Sequence, residues 1–231
     1  MSSFIKSSIG QKFVMSISGL FLITFLALHL TINLFLLAGD EQFNAASHFM
    51  ATNPIIQIMQ PLLALGFLVH IAYASMLTIK NMKARPKKYS AFKQADNSTW
   101  ASRNMYVLGT IIFVFLVIHI INYMWKIKVA GSELLAEVEV NGTVMENTYN
   151  LVSGLFISSV SGVLSYVYGS LYVIAGIALG LHLHHGFWAA FQTMGMSNNI
   201  WKKRLGIIGD TYAIVVAAGF SIIPIYFMLF H

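Results

Sequence analysis

Five stretches of this chain carry no charged side chain: Phe13 to Gly39, Gln42 to Ile79, Asn104 to Trp125, Asn147 to Trp201, and Thr211 to the C-terminus. Each exceeds the roughly 18 to 20 residues that cross the hydrocarbon of a bilayer as helix, and the two longest also hold loop. Lipid offers no hydrogen bonds to a bare backbone, so helices are the form such runs must take. Charged residues are only 10% of the chain, against about a quarter in a soluble domain. The reading is an all-α integral membrane bundle of five transmembrane helices, a single domain over 1–231, with spans near 12–38, 55–81, 102–127, 163–193 and 205–230. The first span is too long for the apolar core of a signal peptide and has no small-residue cleavage site, so it is expected to remain in the mature protein.

Lys and Arg concentrate in cytoplasmic loops, and here twelve of the fourteen fall on one side of the five-helix arrangement. Only Lys126 and Lys128 fall on the other, with Asp40, Glu41, Glu133, Glu137, Glu139 and Glu146. The N-terminus is therefore expected in the cytoplasm and the C-terminus outside. The net charge of +6 is then a basic inner surface, suited to anionic lipid or a docked soluble partner, and nucleic acid is not expected. The inner segment from Lys83 to Trp100 reads as an exposed connector. In the outer segment, Val138-Glu139-Val140, Asn141-Gly142 and Thr143-Val144-Met145 predict a small hairpin.

Four of these helices each carry histidine: His29, His70, His119, and a cluster of His182, His184 and His185. An ionisable side chain in hydrocarbon is costly and marks a functional site by default. The first and third spans run outward, and His29 and His119 lie about 17 residues along them, roughly 26 Å of rise. The second and fourth run inward, and His70 and His182 lie about 11 residues before their ends, roughly 16 Å. Two levels result, with His29 and His119 toward the outside and His70 and His182 toward the inside. A haem iron takes one axial ligand from each face, so two levels of two suit two six-coordinate haems acting in electron transfer.

A weak repeat supports this. Gly19 precedes His29 by ten residues and Gly109 precedes His119 by ten, within similar apolar strings. A missing side chain at those positions lets a flat macrocycle approach the backbone, although small residues also serve close helix packing. In the fourth span His182 and His185 share a face and His184 points away, so spacing leaves His182 and His185 both open as ligands. The chain has no cysteine, which excludes an iron-sulfur cluster, a thioether-linked haem and disulfides.

The residues resemble the cytochrome b558-type membrane anchor of succinate dehydrogenases and fumarate reductases, the single-chain, five-helix, two-haem class. The likeness runs over nearly the whole length: Ser16 to Asn33 with its Ser-x-x-Gly-x9-His, Leu68-Val69-His70 before a basic loop, Ser102-Arg103-Asn104-Met105 through His119, and His182-x3-Gly186-Phe187-Trp188. It implies that His182 is the ligand on the fourth helix, that His29 pairs with His119 and His70 with His182, and that two bis-histidine haem b groups are held. It also implies separate flavoprotein and iron-sulfur subunits on the cytoplasmic face, electron delivery to membrane quinone, with menaquinone the expected type, and a place in the bacterial inner membrane.

The family places its quinone near the outer haem, which points to Asp40, Glu41 or His48 as proton donors. Some relatives carry a glutamate two positions before the fourth-helix ligand; here that position is Gly180. Ser16, Arg103, His184 and His185 are candidates for the haem carboxylates. Two other functions share parts of the pattern: the cytochrome b subunit of a different membrane dehydrogenase, and a proton-coupled transporter. The transporter is disfavoured because the repeat keeps one orientation, where such proteins commonly invert theirs.

Overall fold

The computed structural model describes residues 7–84, 99–196 and 198–231. The connector expected over Lys83 to Trp100 lies largely outside the described residues. Among the described residues five helices are long and apolar enough to cross a membrane, as the sequence requires. They are α1 (Ser8–Leu34) continued to Leu37, α3 (Pro54–Lys83), α5 (Met105–His119) continued by helical backbone to Ala130, α8 (Leu164–Thr193) and α9 (Asn199–Phe230). Between them lie short helices α2 (Asp40–Thr52), α4 (Trp100–Arg103), α6 (Thr148–Ser153) and α7 (Ser158–Ser161) and a hairpin, β1 (Glu137–Val140) with β2 (Thr143–Glu146). The chain is an all-α, multi-pass membrane protein.

Side-chain caps set several helix starts. Ser7 Oγ accepts from the Gly10 N–H at 3.0 Å, and Asn53 Oδ1 accepts from Ile55 N–H at 2.9 Å just ahead of Pro54. Asn198 caps α9 by accepting from Trp201 N–H at 2.9 Å. Each satisfies a backbone donor that the helix itself leaves unpaired.

Packing between the spans relies on small residues, because lipid supplies no hydrophobic drive to join apolar helices. The α8–α9 seam is the tightest. A Cβ added at Gly180 would lie 2.6 Å from the Ala217 Cβ, and one at Gly176 would lie 2.8 Å from Ser221 Oγ. Gly209 admits the Phe187 ring, and Gly219 admits Leu30 of α1. In turn α1 packs on α3, α8 and α9, while α5 packs on α8. No residue of α3 is fully buried, and its outward face carries Ile58, Leu65 and Leu68 to the lipid.

Three features depart from the sequence expectation. Asp40–Thr52, read as loop, is a helix: Phe43 packs in a core with Leu36, Phe156 and Phe227, while Asp40 and Glu41 sit in its first turn, where acidic groups meet the helix dipole. Its polar composition hides it from a search for apolar runs. The third span, expected to be uniform, changes at Ile120 from α to π geometry and continues so to Ala130. The fifth helix begins at Asn199, six residues ahead of the expected 205, because the cationic Lys202, Lys203 and Arg204 lie within its first turns rather than before it.

The expected hairpin forms, with Val140 opposite Thr143 and both Asn141 and Gly142 at positive φ, 51° and 78°. That is the turn chemistry that matches strand twist. Buried Asn44 of α2 ties this end together: its amide donates to Asn147 Oδ1 at 3.2 Å, and its carbonyl accepts from Thr148 Oγ1 at 3.1 Å and Tyr149 N–H at 2.8 Å.

Candidate functional site

The four spans α1, α3, α5 and α8 bring their histidines together in two pairs. His29 of α1 meets His119 of α5 with ring centroids 5.8 Å apart and planes at 89°. His70 of α3 meets His182 of α8 at 6.3 Å and 67°. His29 and His119 lie toward the bundle end that carries α2 and the hairpin, the far end; His70 and His182 lie toward the end that carries Ser8 and α4, the near end.

Aromatic rings wall the far pair: Phe25 stacks on His29 at 5.1 Å, Phe220 tilts on it at 5.7 Å, and Phe115 and Tyr123 lie 5.7 and 5.1 Å from His119. These rings exclude water from the imidazoles. At the near pair, Ser18 Oγ lies 3.3 Å from His70 Nδ1 and donates its proton to the Met15 carbonyl at 2.9 Å. A hydroxyl has one proton, so Ser18 accepts from Nδ1–H, and Nε2 of His70 keeps its lone pair. Burial leaves His182 Nδ1 without a hydrogen-bond partner in the protein.

The repeated glycines have a more specific place than the sequence disclosed. Gly19 faces His70, with 3.4 Å from its virtual Cβ to Cε1, and Gly109 faces His182 at 3.6 Å. Each glycine therefore serves the near pair, while the histidine ten residues on serves the far pair. Gly186 instead faces Met105 Cε at 3.3 Å.

Two trans imidazoles on one metal, at about 2.0 Å per metal–nitrogen bond and about 1.1 Å from nitrogen to ring centre, put ring centroids roughly 6 Å apart. Both pairs have that spacing. Among the described residues no group of three or more His, Asp or Glu converges on a point. The donor set suits an iron whose remaining ligands come from a macrocycle better than a bare ion. The residues fit haem, in number, spacing and relieved crowding at the glycines.

The other candidates are placed differently. His182, rather than His185, is the α8 ring opposite His70. His184 faces α9, where its Nδ1 meets Asp210 Oδ1 at 2.7 Å. Ser16 is buried on α1, two residues before Ser18, and Arg103 ends α4 at the near side. On the far side Asp40 and Glu41 are exposed, and His48 lines a cavity of about 310 Å³ between α2 and the hairpin, with Glu137 and Glu146. Sequence reasoning missed Asn122 and Tyr172, two polar residues of different spans that meet beside His119; no spacing rule links them, since they sit on different helices.

Fold and site together define a multi-pass helical membrane protein whose bundle core holds two cross-helix imidazole pairs. No protein-family profile matches the chain, and no solved structure matches it. It is similar to the succinate dehydrogenase cytochrome b558 subunit of Bacillus subtilis (strain 168), 24% identical over 182 residues that cover 78% of this chain and 77% of the relative.

Proposed function

We propose that the chain is the di-haem cytochrome b anchor of a succinate:quinone oxidoreductase, a succinate dehydrogenase or fumarate reductase of a bacterial inner membrane. At the coarser level, the similarity to the Bacillus subtilis subunit supports a membrane anchor of that respiratory complex. The observation that carries the finer reading is the pair of imidazole couples at two depths, 5.8 and 6.3 Å between ring centroids.

In this reading His29 and His119 hold one haem b and His70 and His182 the other. Held by these imidazoles, the haems would supply one-electron transfer. The chain's own residues orient and shield. Ser18 and the Met15 carbonyl fix the His70 ring, Gly19 and Gly109 keep side chains out of the near pair, and Phe25, Phe115 and Phe220 keep water from the far one. Lys12, Lys80, Lys83, Arg103, Lys202, Lys203 and Arg204 give the near end its positive charge, which faces the cytoplasm. That face meets the iron-sulfur subunit, with the flavoprotein subunit beyond it holding the dicarboxylate. Ser16, Arg103 and His185 serve the near haem's carboxylates. Quinone, of the menaquinone type, takes electrons toward the far end, where Asp40, Glu41 and His48 supply protons from the surface.

The test is the optical spectrum and haem content of the purified protein. Two reducible b-type haems per chain are expected. No b-type band, or a single haem, overturns the reading.

A further inference from the structure

The polar cluster beside His119 does more than the ligand role requires. The Tyr172 hydroxyl of α8 lies 3.5 Å from His119 Nδ1, and the buried Asn122 donates from Nδ2 to the same hydroxyl at 3.4 Å. Phe115 and Phe156 pack edge-on against the Tyr172 ring at 4.8 and 5.1 Å and hold it in place. Asn122 belongs to the π segment that starts directly after His119, and it is the buried residue of that segment. Such segments are rare and concentrate at functional sites. At the near pair Ser18 accepts from His70 Nδ1–H, while His182 Nδ1 has no hydrogen-bond partner, so neither near imidazole faces a tyrosine moderated by an amide.

Donor and acceptor roles follow from chemistry. An amide nitrogen only donates, and an imidazole that binds a metal through Nε2 carries its proton on Nδ1, so it donates too. The Tyr172 oxygen, with two lone pairs, is the acceptor for both. We propose that Tyr172, tuned by Asn122, is a positioning residue that orients the His119 ring and lowers the reduction potential of the far haem. The proposal rests on the haem reading above. A partner on the second nitrogen fixes ring orientation and raises ligand basicity, which favours the oxidised iron. Asn122 competes for the same oxygen and moderates it.

The two contacts therefore predict shifts of opposite sign. In a redox titration of the assembled complex in membranes, Tyr172→Phe removes the acceptor and should favour reduction of one haem by up to about tenfold, ~59 mV for a one-electron couple. The other haem should not move. Asn122→Leu frees the tyrosine oxygen and should shift the same haem downward by a smaller factor. The responding haem should be the one missing from His119→Ala. Unchanged potentials in Tyr172→Phe, or shifts of the same sign in both variants, would overturn the proposal, because loosened packing alone has no reason to reverse sign. If Tyr172→Phe loses haem outright, the downward shift in Asn122→Leu still decides. A wild-type protein without two haems counts against the haem reading instead.

Discussion

Replacing Gly19 by valine should remove the near haem and spare the far one, even though Gly19 shares its helix with a ligand of the far pair. A Cβ at position 19 would lie 3.4 Å from His70 Cε1, ordinary contact, so Gly19→Ala should keep both haems. Valine adds two methyls about 1.5 Å further out, and one rotamer dominates for it in a helix, so they cannot swing clear. The closest methyl would come within roughly 2.5 Å of the ring, where carbon atoms prefer about 3.5 to 4.0 Å. His70 must yield by about 1 Å, several times the ±0.2 Å that a metal–ligand distance tolerates. The assay is haem content by reduced spectrum with redox titration of the single remaining centre. One haem per chain, the one also retained in His70→Ala, is the expected result. Two haems in Gly19→Val, or loss of the far haem, would refute the argument that this glycine serves the opposite pair.

The pairing itself predicts that His29→Ala and His119→Ala each lose the far haem, that His70→Ala and His182→Ala each lose the near one, and that His185→Ala keeps both; the difference spectra of the five variants check this. Gly180→Leu should weaken the α8–α9 seam by about 1–3 kcal/mol, since even a Cβ there would lie 2.6 Å from the Ala217 Cβ; a lower thermal midpoint in detergent is expected, and no change refutes the packing argument. Asn44→Ala deletes three hydrogen bonds of a buried side chain and should cost about 1–3 kcal/mol locally, read as faster hydrogen exchange or proteolysis over the hairpin and α6 with the spans unaffected.

Much of the fold was legible because hydrocarbon solvent acts on the chain in one dimension. Any segment inside it must be apolar and must satisfy its own backbone, so spans announce themselves by charge-free length. The hairpin was legible for a similar local reason, since Asn141-Gly142 demands positive φ. The α2 helix was not, because it lies outside the spans and is held by Phe43 and Asn44, whose partners Phe227 and Thr148 are more than a hundred residues away.

The sequence by itself determined the number of spans, which end of the bundle carries the positive charge, and the two depths at which histidines occur. Those properties depend on rise along a helix and on solvent, and both are additive along the chain. Only the tertiary structure decided which rings face each other, that Gly19 and Gly109 open onto the near pair, that His184 turns to Asp210, and that Tyr172 and Asn122 close on His119. Those depend on the rotation of each helix about its axis and on the side chains of its neighbours. Azimuth is set by packing small residues such as Gly176 and Gly180 against another helix, and a sequence read without that neighbour does not contain it.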